Sequence, residues 1–263
     1  LVTGVQTCAL PISPVDELSK RMEYSKDRFG LEGVLTILPP GNWSPLMYAA
    51  REGAIDAIRA LCDAGAKVNL ADPDGTTPLL LAIGNYHFEA AALLIEKGAD
   101  VNQADSAGMG PLYAAIDMNT LGEIFGRPGK SPDGKLTALD LAKILLDRGA
   151  NPNAGLKTPT LQRAHTPGEP TLGEGATPLA RAAKAGDVAS IELLIARGAN
   201  PSQPLKNGTT PLMFASGLGR GVSAFAKDYG TELDLVAAAT LLLDRGADIN
   251  AISGAGQTAM HFA

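Results

Sequence analysis

Six short stretches of the chain say nearly the same thing: SPLMYAA from Ser44, TPLLLAI from Thr77, GPLYAAI from Gly110, TPLARAA from Thr177, TPLMFAS from Thr210 and TAMHFA from Thr258. Their prolines stand at 45, 78, 111, 178 and 211, so three of the four steps are 33 residues. A second ladder runs in register behind the first, as DAGAKVN, EKGADVN, DRGANPN, ARGANPS and DRGADIN, with glycines at 65, 98, 149, 198 and 246. A fixed period of this length is the mark of a stack of small units, none of which can bury its apolar stripe alone.

Each unit makes local sense. Thr77 can cap a helix whose first residue, Pro78, loses nothing by lacking an N–H. A turn and a second helix follow, in which Ala91, Leu94 and Ile95 share one apolar face, and Gly98 stands where that helix must end in a left-handed residue. Asp72-Pro73-Asp74-Gly75 has the turn chemistry of a hairpin leading into the next unit. With its 33-residue period and stretches close to the signature T-P-L-H-x-A, the chain resembles the ankyrin repeat family. The resemblance implies an all-α repeat solenoid, helix-turn-helix units joined by β-hairpin loops. It covers an array over 39–263: repeats over about 39–71, 72–104, 105–154, 155–203 and 204–251, and the start of a sixth over 252–263.

Three insertions break the period, by 18, 16 and 15 residues. In the third repeat the extra residues follow the first helix from Asn119, and in the fifth they take the same place from Gly217. With repeats stacked ~8–10 Å apart, these two would project from one edge about 20 Å apart. The fourth-repeat insertion lengthens the hairpin instead. There Thr166-Pro167-Gly168-Glu169 fits a type II turn between two Pro-Thr-Leu arms, so a finger is expected, with Arg163, His165 and Glu169 at a tip roughly 25 Å out.

Ahead of the array, VTGVQTCALPI at residues 2–12 resembles the in-frame translation of a sequencing adapter. Residues 1–12 are therefore expected to be foreign to the fold, and the native N-terminus to be missing. Residues 13–38 are expected to contain a helix on which Val15, Leu18 and Met22 share a face, either the remnant of an upstream repeat or a docking element.

Chemistry is hard to place on these residues. Net charge is −6 with no Lys/Arg cluster, which argues against a nucleic-acid partner, and no apolar run reaches the ~18 residues of a membrane span. His87 opens a second helix and His261 is the histidine of the signature, so both read as structural. His165 has no Cys or second His nearby for a metal. Cys62 falls on a core position and reads as an inert thiol. Gly217-Leu218-Gly219-Arg220-Gly221 lacks both the preceding strand and the following Lys-Ser/Thr of a phosphate loop. No catalytic residue, cofactor site or metal site is expected, and a small-molecule ligand is not favoured.

What remains is a binding surface. In the family resembled, partners meet the hairpin tips and the inner helices. The resemblance places Trp43, Thr76, Met109, Ala176 and Thr209 at successive hairpin tips, and Tyr48, Arg51, Glu52, Asn85, Asp117, Met118, Arg181 and Lys184 at exposed inner-helix positions. Trp43 either anchors a partner or covers the core of the first repeat. Three functional classes stay open: a non-catalytic protein-interaction scaffold with a protein partner, which is favoured; a regulatory or targeting array of a larger enzyme; and a solenoid whose insertions converge on a ligand site. Insertion-bearing arrays of this kind resemble bacterial proteins, often exported ones.

Overall fold

The computed structural model describes residues 43–120, 135–158, 172–219 and 230–263. The expected adapter stretch, the helix over 13–38, the finger tip and most of the other two insertions lie outside these residues.

Among the described residues five helix pairs follow one another. The inner helices are α1 (Pro45–Arg51), α3 (Pro78–Gly84), α5 (Pro111–Thr120), α7 (Pro178–Ala185) and α9 (Pro211–Ala215). The outer ones are α2 (Ile55–Asp63), α4 (Phe88–Glu96), α6 (Ala138–Asp147), α8 (Val188–Ala196) and α10 (Glu232–Asp244). A single 3₁₀ turn over Ala259–His261 closes the sequence of elements. Each inner helix packs on its own outer helix and on the inner helix of the next repeat, which is the all-α solenoid the period implies.

The inner helices begin as their sequences require. The hydroxyl oxygens of Ser44, Thr77, Thr177 and Thr210 accept from the N–H three residues on, at 3.2–3.4 Å, with proline at the first helical position each time. Two outer helices open with a full capping box. Thr137 and Asp140 cap α6 reciprocally, as Thr231 and Asp234 cap α10. The hydrogen bond from each threonine side chain holds its aspartate carboxyl below the usual range.

The outer helices all end at a glycine with φ between 87° and 92°: Gly65, Gly98, Gly149, Gly198 and Gly246. A Cβ added at any of them would meet no atom within 4 Å, so the backbone angle alone demands glycine there. Among the described residues the hairpins contain no strand. They are turns closed by one or two backbone hydrogen bonds, such as Asp72 N–H to Thr76 O at 3.0 Å. Successive tips are tied together by Ser106 N–H to Asp74 O, Lys157 N–H to Ala107 O, Lys206 N–H to Glu174 O and Gly254 N–H to Asn207 O, at 2.7–2.9 Å.

The core is built from small residues facing large ones. Ala50, Ala82, Ala115 and Ala182 on the inner helices are fully buried, as are Leu94, Leu145, Leu194 and Leu242 on the outer ones. Alanine lets helices approach closely, and leucine fills the space between. A polar ladder reinforces the joints. Four residues after each terminating glycine, the side chains of Asn69, Asn102 and Asn153 donate to the carbonyls of Gly98, Gly149 and Gly198. The same side chains accept from the N–H groups of Asp100, Asn151 and Asn200. Each side chain thereby ties its own repeat to the glycine turn that follows the outer helix of the next. At the fourth joint Ser202 does the same work through one oxygen, at 3.3 Å to Gly246 O and 3.0 Å from Asp248 N–H.

Candidate partner-binding surface

The first repeat carries an aromatic edge. The carboxylate of Asp72 is fixed by its own hairpin, its Oδ1 accepting from Thr76 N–H at 2.7 Å and Asp74 N–H at 3.0 Å. Its Oδ2 accepts from the indole N–H of Trp43 at 3.1 Å, which holds the half-buried ring against the hairpin. Tyr48 on α1 meets that ring edge-on, with centroids 5.3 Å apart, and the Arg51 guanidinium stands 5.8 Å over it. Tyr48 keeps 50% of its surface exposed and Arg51 is exposed as well. A preorganised aromatic pair with an arginine beside it, open to solvent, has the composition of an interface hot spot.

The later repeats correct the expected surface. Thr76 and Thr209 are buried, and the N–H of each bonds to an Asx side chain in its own turn, Asp72 and Asn207. Ala176 is buried and Met109 half-buried. Asn85 turns back on its own helix, donating to Leu81 O at 2.8 Å. Three of the inner-helix residues expected in solvent are out of it: Met118 is 4% exposed, Arg181 2% and Lys184 0%. Arg181 is drawn inward by Asp117, with Nε to Oδ1 at 2.5 Å. Beside them Asn119 donates to Asp187 Oδ2 at 2.6 Å, and Ser190 donates to the same oxygen, so this end of α5 is locked onto α8. Position by position, Tyr48 is exposed, whereas its counterparts Leu81, Ala114, Arg181 and Phe214 are all buried. Arg163, His165 and Glu169 lie outside the described residues.

The remaining candidates for chemistry have plain structural settings. His87 precedes the first residue of α4 and packs over Gly53, where an added Cβ would collide with its ring. His261 Nδ1 lies 3.1 Å from the N–H of Thr258. Cys62 is half-buried rather than fully buried, and that burial pushes its thiol up, away from the thiolate a nucleophile needs. Among the described residues no group of three or more His, Cys, Asp or Glu could hold a metal ion, and no helix is long and apolar enough to cross a membrane.

Stacked helix pairs joined by one polar ladder define an all-α repeat solenoid. Its family follows from known proteins. A family model described as ankyrin repeats in three copies matches residues 46–155, and the ankyrin repeat model matches residues 174–204. The chain is also similar to the crystal structure of an ankyrin repeat domain from Acinetobacter baumannii AYE. The identity is 26%, the TM-score is 0.62, and the likeness covers 83% of this chain and 89% of that one. Among curated proteins there is no match. The chain belongs to the ankyrin repeat family, whose repeats generally mediate protein–protein interaction.

Proposed function

We propose that this chain is a non-catalytic scaffold that holds a protein partner at the first-repeat edge formed by Trp43, Tyr48 and Arg51. The observation that carries the reading is the contrast in exposure along one helix position: Tyr48 is open while Leu81, Ala114, Arg181 and Phe214 are closed. The edge is also rigid. Trp43 is tied to Asp72, and Asp72 to its hairpin, so little side-chain entropy remains to be lost when a partner arrives. A partner suited to it offers an apolar or aromatic group for the Trp43–Tyr48 pair and a carboxylate or carbonyl for Arg51.

Affinity capture with the full chain and with Trp43→Ala, Tyr48→Ala and Arg51→Ala tests the reading. Each change is expected to weaken capture of one specific protein by ~1–3 kcal/mol while the circular dichroism spectrum stays that of the unaltered chain. Equal capture by all four proteins would refute the assignment of the edge. Substrate turnover by the purified chain, free of any partner, would refute the non-catalytic reading.

A further inference from the structure

Among the described residues three asparagines fold their side chains forward onto their own turns. The Oδ1 atoms of Asn151, Asn200 and Asn207 accept from the N–H two residues on, in Asn153, Ser202 and Thr209, at 2.9, 3.0 and 3.1 Å. Such a ring lays the side-chain amide carbon over the intervening peptide nitrogen, and the N–H it accepts draws electrons from that carbon. The carbon is placed for attack by the nitrogen beneath it. In two of the three turns that nitrogen belongs to Pro152 or Pro201 and has no hydrogen to lose. In the third it belongs to Gly208, and Asn207-Gly208 is the one Asn-Gly pair in the whole sequence.

The setting of the pair adds two conditions. Asn207 is exposed at the tip of the hairpin between the fourth and fifth repeats, so water reaches it. Gly208 has φ 79°, and a Cβ there would lie 2.9 Å from Gly254 N, so the fold itself requires the residue that leaves the peptide nitrogen least shielded. Other asparagines are engaged differently. The Oδ1 atoms of Asn69, Asn102 and Asn153 hold N–H groups of the next repeat, away from their own successors. Asn85 and Asn119 donate to Leu81 O and Asp187 Oδ2, and the larger Tyr86 and Thr120 follow them.

We propose that Asn207 is a self-modification site, deamidating through a succinimide with water as the only co-reactant. Gly208 N bonds to Cγ of Asn207, and its proton passes through water to the side-chain nitrogen, which leaves as ammonia. Between the two events the Thr209 N–H steadies the negative charge on Oδ1. Water then opens the five-membered ring at either carbonyl, leaving an aspartate or an isoaspartate in place of Asn207. Gly208 N–H donates to Leu205 O at 2.9 Å, so the attack waits for this exposed turn to open. The two products differ in consequence. An aspartate fits, because Asp74 holds the same place in the first hairpin and its carbonyl still accepts from Ser106 N–H at 2.8 Å. An isoaspartate reroutes the main chain through the side chain, and the carbonyl that accepts from Gly254 N–H at 2.7 Å leaves the main chain. The tie between the last two hairpins is then lost. This site does not depend on partner capture at the aromatic edge.

Ageing the full chain at physiological temperature and mildly alkaline pH, then cleaving it with pepsin at low pH and weighing the peptides, tests the proposal. The peptide holding Asn207 is expected to gain about 1 Da, the exchange of NH2 for OH. Its rate should lie within about tenfold of that of the free peptide Lys206–Pro211, and at least about tenfold above that of any other described asparagine. Pro201→Gly, which gives Asn200 an attacking N–H, should bring Asn200 to a comparable rate, with circular dichroism as the check on folding. The aged chain should lose hydrogen-exchange protection at Gly254, whereas Asn207→Asp should keep it. Conversion of Asn207 slower than the free peptide by more than that margin would overturn the proposal, since the turn would then shield the residue. Equal conversion of Asn151 or Asn200 in the unaltered chain, or an Asn200 left intact by Pro201→Gly, would overturn the geometric argument. Equal protection at Gly254 in the aged and Asn207→Asp chains would refute the loss of the tie.

Discussion

The inner helices of the first and fourth repeats are written almost alike, SPLMYAA and TPLARAA, and they begin with the same hydroxyl cap and the same proline. Their outward residues end in opposite places: Tyr48 is half in solvent, while Arg181 is 2% exposed and paired with Asp117 from the third repeat. The signature therefore dictates that a helix forms and which side it gives to the core. It does not dictate whether the other side meets water. That depends on which groups of neighbouring units come to lie against it, and here an acidic residue 64 positions away decides the matter.

The same two repeats differ in how they are held. The first grips the second through both atoms of the Asn69 amide, and Gln103 adds a bond to Asn69 O at 3.2 Å, whereas the fourth grips the fifth through the single oxygen of Ser202. Their outer helices also start differently. Ala54 offers α2 no side-chain cap, and Asp187 caps α8 by accepting from Ser190 N–H at 3.1 Å.

Substitutions can break or sharpen this comparison, and the largest effect is expected at Arg181. Arg181→Ala removes one partner of a largely buried ion pair and should cost ~3 kcal/mol in chemical denaturation. Tyr48→Ala should cost only about 1 kcal/mol, since it gives up an edge contact and little burial. Equal losses at the two positions would erase the distinction. Replacing both members of the pair, with Arg181→Met and Asp117→Leu, should recover most of the loss, because no lone buried charge is left behind.

Next in size are the rungs. Asn69→Ala leaves Gly98 O and Asp100 N–H without their partner and should cost ~1.5 kcal/mol. Ser202→Asn, which gives the fourth joint two bonding atoms instead of one, should add about 0.5 kcal/mol and slow hydrogen exchange in the turn from Gly246 to Asp248. If Ser202→Asn destabilised the chain, the fourth joint would have to be set by something other than the ladder. The smallest effect belongs to the caps. Ala54→Asp supplies α2 with what Asp187 supplies to α8 and should raise the melting temperature, by an amount matching ~0.5–1 kcal/mol.

Much of this fold could be read from residues alone, because its rules are local. Thr77, Thr177 and Thr210 cap helices, prolines open them, and Gly65, Gly98, Gly149, Gly198 and Gly246 end them in left-handed geometry, each within a few residues of the signal that specifies it. Tyr86 marks where local reading fails. It takes φ 63° in the turn where Gly53 and Gly186 sit in their repeats, and burial of its ring against Phe88 offsets the strain. The candidate surface was only partly legible. Trp43, Tyr48 and Arg51 stand out by residue type, and the structure brings them together. For Met118, Arg181 and Lys184, the expectation of exposure came from family position. Whether an Arg or Lys reaches solvent depends on long-range partners such as Asp117, which no short motif encodes. The ladder of Asn69, Asn102 and Asn153 was visible as a recurring asparagine in the second motif, but its bonds reach into the next repeat and only the fold reveals them.

The central claim is that partners meet this solenoid at the open first-repeat edge and not along the closed inner helices. It is tested most directly by placing a photoreactive benzoylphenylalanine at Tyr48 in one protein and at its buried counterpart Leu81 in another, then irradiating each with the captured partner. The account predicts a covalent partner adduct from position 48 and none from position 81. An adduct from 81 with none from 48 would contradict it.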